Sequence, residues 1–236
     1  MKKLHAQQGV SLLVVVVIAL LGALLVLAST QVVRLEEMLA GNDSEAAWGF
    51  EAAEALLHDA ELDVLGLQPN GQPCQAGGGV TGCRSGATTT LVPSTVAEFN
   101  RLALRLSARV PPCADGICLN LGAAATADSG TGFWSDATSL KTQVTTAGGV
   151  PYGLYSGARA SDNPLLQTSD RRGAWYWIEV LPYNAGAAVG GGDLAPWSPT
   201  PSDPFIFRLT AVVQGRRPGA TTVLQSMLVR QVLGSP

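Results

Sequence analysis

From Leu4 to Val33 the chain has no Asp, Glu, Lys or Arg, and within that stretch Val10 to Ala28 is almost purely aliphatic. At a rise of ~1.5 Å per residue the aliphatic run is roughly 28 Å long as a helix, close to the hydrocarbon thickness of a bilayer. Its many valines disfavour a helix in water, but in lipid the helix is enforced because every backbone hydrogen bond must be met internally. Lys2 and Lys3 precede the run, while Arg34, Glu36 and Glu37 follow it. The positive charge therefore predicts a cytoplasmic N-terminus, with everything after residue 34 across the membrane. The remaining composition is compatible with one folded head. The chain has 236 residues, 47% hydrophobic and 14% charged. A formal charge of −3 leaves no basic patch for nucleic acid, and two histidines provide little material for imidazole catalysis or a histidine metal site. No cofactor is expected.

Two fates of the apolar run compete. Val26-Leu27-Ala28 meets a small-residue pattern for secretory cleavage after Ala28, although the run is longer than such signals usually are. Alternatively, Met1 to Gly9 is a short, basic, polar leader and Gly9 is followed directly by Val10-Ser11-Leu12-Leu13-Val14. This resembles a class III signal, cut by a prepilin peptidase on the cytoplasmic side. The resemblance implies cleavage between Gly9 and Val10 and N-methylation of Val10, with the helix retained in the mature protein.

Residues 34–66 predict an amphipathic continuation of that helix. Ala46, Phe50, Ala53, Leu57, Ala60 and Val64 recur at spacings of three and four, while Glu45, Glu51, Glu54, Asp59 and Glu61 mostly occupy other faces. Gly66 and Pro69 supply a stop, and Gly41-Asn42-Asp43-Ser44 is the place where a kink or new N-cap would fall. A helix unbroken from Val10 to Leu65 would be roughly 84 Å long.

From Leu67 the texture turns to Gly, Pro, Ser and Thr, including Gln75-Ala76-Gly77-Gly78-Gly79, which predicts long loops. Phe99, Leu102 and Leu106 mark a short helix. Cys74 and Cys83 form one close pair and Cys113 and Cys118 another, read as two local disulfides in a head outside the cytoplasm; a four-cysteine zinc site is the alternative. Three aromatic and β-branched runs predict strands: 174–181, 205–213 and 221–232, the last two joined by the short connection 216–220. An antiparallel sheet on the apolar stripe of the helix would bury both. Gly190-Gly191-Gly192 to Pro204 lies between strands as a loop and lacks the frame of a phosphate-binding turn. The pairs Arg171-Arg172 and Arg216-Arg217 read as solvated turns. Trp134, Trp175, Tyr176 and Trp177 read as core and sheet-face residues.

The segments QQGVSLLVVVVIALLGALLVLAST, RLEEMLAGNDSEAAWGFEAAEALLHDAE, CADGIC and FRLTAVVQGRRPGATTVLQSMLVRQV together resemble the PilX family of type IV pilus assembly proteins, minor pilins related in plan to the K-type pseudopilins of type II secretion. The similarity is strongest over residues 7–65 and 203–232, and the middle of the chain matches little. The resemblance implies an α+β, pilin-like fold: a long N-terminal helix, half transmembrane and half amphipathic, packed on a C-terminal antiparallel sheet with disulfide-bearing loops. It divides the chain into a leader (1–9), a transmembrane helix (10–33), an amphipathic extension (34–66) and a periplasmic head (67–236). It further implies insertion in the inner membrane and then in the pilus. The implied partners are other minor and major pilins, the prepilin peptidase and the inner-membrane assembly platform. Most pilins carry a Glu at the fifth residue after cleavage, and that position here is Val14. In the family picture the Glu neutralises the N-terminal amine of the subunit above, so a chain with Val14 is expected at or near the filament tip, priming assembly. A tip adhesin or a K-like pseudopilin are alternatives within the same plan. A membrane-anchored periplasmic hydrolase would have to draw on Asp136, Asp162 and Asp170, which nothing in the sequence pairs.

Overall fold

The computed structural model describes residues 10–74, 82–84, 89–121, 132–135, 137–159, 161, 163, 166, 173–184, 198–217 and 219–230. The loop stretches around Gln75–Gly79 and Gly190–Gly192, the Arg171-Arg172 pair, the residues Asp136, Asp162 and Asp170, and the leader with Gly9 lie outside them. The longest helix, α1 (Val10–Leu65), is helical through Gly41–Ser44. It ends in a Schellman arrangement: Leu67 N–H donates to the Leu62 carbonyl (2.9 Å), Gly66 N–H to that of Asp63 (3.2 Å), and Gly66 has φ +65°. The chain separates into two compact units, residues 1–46 and 47–236.

The first unit holds the apolar part of α1. Among the described residues this is the one helix long and apolar enough to cross a membrane, with a mean hydropathy of 3.1 over its most apolar window. None of that window is buried by the protein itself: Leu12, Leu25 and Leu27 are each more than 60% exposed.

The second unit has three layers. Its mixed sheet comprises β1 (Cys113–Ala114), β2 (Ile117–Cys118), β3 (Val150–Pro151), β4 (Ala174–Pro182), β5 (Phe205–Gln214) and β6 (Thr221–Leu228). The order is β1-β2-β4-β5-β6, with β3 also on β4. All pairings are antiparallel except β2–β4, which is parallel in the register Ile117↔Ile178. The three strands expected from the sequence pair antiparallel, and the parallel β2–β4 pairing is an addition to that sheet. Asp115-Gly116, both at positive φ, turn the chain back so tightly that the β1–β2 hairpin inserts beside β4 as a unit.

The period of two in the strands sorts side chains between the layers. Tyr176, Ile178, Val180, Phe205, Phe207, Leu209, Ala211 and Val213 meet Ala52, Ala53, Leu56, Ala60 and Val64 of α1, with Leu102 and Leu106 of α2 (Val96–Leu106). Trp177 and Val212, on the opposite parity, meet Phe133, Leu140 and Ala147, from a 3-10 turn (Phe133–Ser135) and around α3 (Ala137–Thr146). Phe133 packs edge-on to Trp177 at 5.1 Å. α2 begins with a capping box: Glu98 N–H donates to Thr95 Oγ1 and Thr95 N–H to Glu98 Oε2.

The stripe of α1 keeps Ala53, Ala60 and Val64 of its sequence reading inside, with Leu57 at its margin, and departs from it elsewhere. Phe50 is 48% exposed and Ala46 is exposed, whereas Asp59 (1%) and Asp63 (5%) lie inside. Those carboxylates look polar in a periodicity count, but loops from distant parts of the chain satisfy them. Trp48 remains half-buried, with the Arg216 guanidinium 5.2 Å from its ring.

Candidate functional site

Among the described residues, two regions stand out chemically: the apolar start of α1 and a set of buried ion pairs and disulfides that brace the head.

α1 begins at Val10, and its first turn holds no acidic side chain. At the fifth helical residue stands Val14, 46% exposed and flanked by Leu13 and Val15 at 63% and 65%. Chemically this surface can do one thing: pack against lipid or another apolar helix, with no carboxylate to receive a cation.

In the head, Asp63 of α1 and Arg84 form a bidentate pair, Nε to Oδ1 at 2.6 Å and Nη2 to Oδ2 at 2.7 Å, with side chains 1% and 6% exposed. Tyr176 donates its hydroxyl to the same Asp63 Oδ2 (2.8 Å). Arg84 Nη1 donates to the carbonyls of Thr90 (2.9 Å) and Asp115 (3.0 Å), and its guanidinium lies 3.8 Å from the centre of the Tyr155 ring. Asp115 in turn accepts from Thr90 N–H and Oγ1, both at 2.8 Å. One guanidinium thus ties α1, the loop before α2, and the β1–β2 turn. Burial first, and the Asp63 carboxylate next, hold the Tyr176 phenol well above its usual range.

The disulfides extend this brace. Cys74–Cys83 closes the loop immediately before Arg84, and Cys83 bridges to Ser156. Cys113–Cys118 joins the two strands across the β1–β2 turn. The cysteines therefore stand in two separate pairs rather than around one centre. Two further arginine pairs serve the sheet. Arg208 binds Glu179 on the neighbouring strand (2.6 and 2.8 Å) while Leu121 N–H donates to the same carboxylate. Arg230, beyond β6, grips Asp203 (2.7 Å), reaches the carbonyls of Val64 and Pro93, and lies 4.7 Å from the Phe207 ring centre. A cavity of about 730 Å³ beside the end of α1 is lined by Leu91, Val92, Leu102 and four arginines. Two of these, Arg84 and Arg230, are already neutralised within the head.

Asp59 forms a separate latch. It accepts from Gly153 N–H (2.7 Å) and from the Ser156 hydroxyl, pinning the turn after β3 onto α1. Desolvation by burial raises its pKa from 3.8 to about 6, because the Ser156 and Gly153 hydrogen bonds offset only part of that cost. The folded state therefore holds the proton more tightly than the unfolded chain. The stability due to this group is full below about pH 4 and is lost as pH rises through 6. A shift of that size corresponds to about 3 kcal/mol. Urea unfolding of wild type and Asp59→Asn should accordingly show the wild type losing stability relative to the variant between pH 4 and 7. A constant difference across that range would mean that the carboxyl titrates normally.

Neither Asp59 nor Asp63 stood out in the sequence. Arg84 had one usable signal, its position directly after a cysteine that a disulfide would fix.

Comparison with known families places the C-terminal half of the chain. Residues 114–230 match the family model described as Type IV pilus assembly protein PilX C-term. The match covers residues 114–202 of the middle region that the sequence resemblance left unassigned, not residues 66–113, and it takes in β2 to β6. No curated protein and no solved structure matches the chain.

Proposed function

We infer, from a chain whose residues 114–230 belong to the PilX family of type IV pilus assembly proteins, that the whole protein is a minor pilin with a structural role. In this reading the prepilin peptidase cuts between Gly9 and Val10, Val10 is N-methylated, and residues 10–33 hold the subunit in the inner membrane. Residues 34–66 extend the helix into a periplasmic head, 67–236. Its partners are then other minor and major pilins and the inner-membrane assembly platform. The observation that carries the reading is an unburied, uncharged helix start joined in one chain to a PilX domain. The pilus family favours a fibre over a secretion pseudopilus. Mass spectrometry of the mature N-terminus tests it: methylated Val10 as the first residue is expected, and a chain starting at Ser29 or at Met1 would overturn it.

Val14 further supports a position at or near the filament tip. An amine left unpaired in an apolar bundle costs several kcal/mol, and a carboxylate from the subunit below is what offsets it. The tip subunit has another subunit only beneath it, so it needs a carboxylate from below but gives none upward. Val14→Glu should therefore move epitope-labelled subunits from fibre ends into the shaft, seen by immunogold microscopy. Labels that stay at the ends in unchanged number would count against the tip assignment.

A further inference from the structure

The cavity beside the end of α1 carries positive charge that the head leaves unanswered. All of its lining residues belong to the second unit. Both carboxylates in the lining are occupied. Asp63 holds Arg84 and Tyr176, while Glu98 accepts from Ser94 N–H and Oγ (2.8 Å each) and from Thr95 N–H (3.2 Å). The carbonyls at the end of α1 are taken as well, that of Val64 by Arg230 and those of Leu62 and Asp63 by the amides of Leu67 and Gly66. Two of the four arginines remain. Arg101 and Arg105 are exposed, and among the described residues neither makes a hydrogen bond or an ion pair. They stand four apart on α2, on one face and roughly 6 Å apart along its axis.

The segment leading into α2 offers a second kind of contact. Thr90 N–H is held by Asp115, Ser94 N–H by Glu98 and the Pro93 carbonyl by Arg230. Between them, the main-chain N–H and C=O groups of Leu91 and Val92 have no partner among the described residues, and both residues line the cavity outside any helix or ladder. The Leu91 side chain is 52% exposed, whereas Val92 packs partly on the core. Open main chain of this kind is satisfied by water or by another extended chain laid against it.

We propose that this cavity binds an extended, acidic peptide segment of a different protein, with carboxylates on alternate residues and apolar residues beside them. Alternate residues of an extended chain lie about 6.6 Å apart on one side, close to the arginine spacing, so each carboxylate takes one guanidinium in a forked pair. Leu91 and Leu102 supply apolar surface, and the open groups of Leu91 and Val92 supply main-chain hydrogen bonds. A volume of about 730 Å³ is ample for such a segment's side chains. A free dicarboxylate or an anionic lipid lacks the main chain that Leu91 and Val92 can pair with. A second copy of this chain does not present the ligand either. Its acidic residues two apart, Asp43 and Glu45, Asp59 and Glu61, and Glu61 and Asp63, all lie within α1. On a helix such residues diverge by about 200° instead of sharing a side.

Fluorescence anisotropy of the full chain in neutral detergent micelles tests the site. The probe is the peptide Val-Glu-Val-Glu-Val, capped at both ends and carrying an uncharged dye. Saturable binding is expected. Exchanging the peptide's glutamates for glutamine, or combining Arg101→Gln with Arg105→Gln, should weaken it by about tenfold or more, as loss of charge-assisted hydrogen bonds does. Arg109→Gln, exposed but outside the cavity lining, should leave affinity unchanged. Circular dichroism verifies that the variants are folded. In hydrogen exchange, saturating peptide should slow at least one of the Leu91 and Val92 amides by about tenfold or more. Failure to saturate at millimolar peptide, full affinity in the double variant, or unchanged exchange at both amides would overturn the proposal. So would displacement of the probe by free glutarate, or by phosphatidylglycerol in the micelles, as effective as that by unlabelled peptide, which would assign the cavity to a small dicarboxylate or a lipid. Self-association of the chain that the peptide disperses would assign it to a second copy and overturn the proposal too.

Discussion

Asp63→Ala should destabilise the head by about 3–5 kcal/mol, the range for removing one partner of a buried ion pair. The substitution leaves the Arg84 guanidinium, 6% exposed, without its counter-ion and the buried Tyr176 hydroxyl without its acceptor. The cost exceeds that of a surface pair because neither group can return to water without dismantling the packing around it. It also spreads. Arg84 holds the carbonyls of Thr90 and Asp115, so a displaced guanidinium frees the loop before α2 and the β1–β2 turn together. Against a typical domain stability of about 5–15 kcal/mol, a loss of this size should lower the melting temperature by roughly 10 °C in a head of this length. Asp63→Leu combined with Arg84→Met removes both charges and should recover a large part of the loss, since an apolar pair of similar size avoids the uncompensated ion. Thermal unfolding of the full chain in micelles measures both variants. A shift below about 2 °C for Asp63→Ala would mean that the pair does not support the head.

The parts of this fold that were legible beforehand are those governed by local pattern. The apolar start of α1 could be read because a membrane requires an uninterrupted run, and β4, β5 and β6 because aromatic and β-branched residues between turns have few other uses. β6 stops at Leu228, where Arg230 leaves the ladder to grip Asp203, a partner that no local count could supply. The same holds for α1. Asp59 and Asp63 count as polar, so the expected stripe left them out and took in the exposed Phe50; in the fold Ser156, Gly153, Arg84 and Tyr176 turn those carboxylates inward. Their partners lie between 21 and 113 residues away. The β1–β2 hairpin was within reach, since Asp115-Gly116 is a strong tight-turn signal. The flanking cysteines favoured a loop reading, and neither the hairpin nor its parallel place beside β4 was anticipated. The start of the helix is the reverse case: Val10 and Val14 carry meaning through the resemblance, and within the chain Val14 is simply an exposed apolar residue.

Gly153→Ala should be the most damaging small substitution in the head, costing about 3 kcal/mol or more. Gly153 has φ +76°, where an alanine is strained by about 1–2 kcal/mol. The space is also taken: a Cβ would run into the Ala158 carbonyl oxygen and come within 2.6 Å of its carbonyl carbon. Backbone cannot step aside as a flexible side chain can, so the turn must shift, and Gly153 N–H is one of the two donors to Asp59. Losing it leaves a carboxylate that is 1% exposed held by the Ser156 hydroxyl alone. The penalty should consequently depend on pH. Below the raised pKa of about 6 the protonated Asp59 tolerates the lost donor, whereas at neutral pH the charged form does not. Gly71→Ala separates strain from collision, because Gly71 has φ +78° with nothing within 4 Å of the added carbon. Urea unfolding at pH 4.5 and 7.5 should show Gly71→Ala costing about 1 kcal/mol at both values. Gly153→Ala should cost several times more, with the excess larger at pH 7.5; equal penalties for the two variants would mean that the turn after β3 is not fastened to α1 through Asp59.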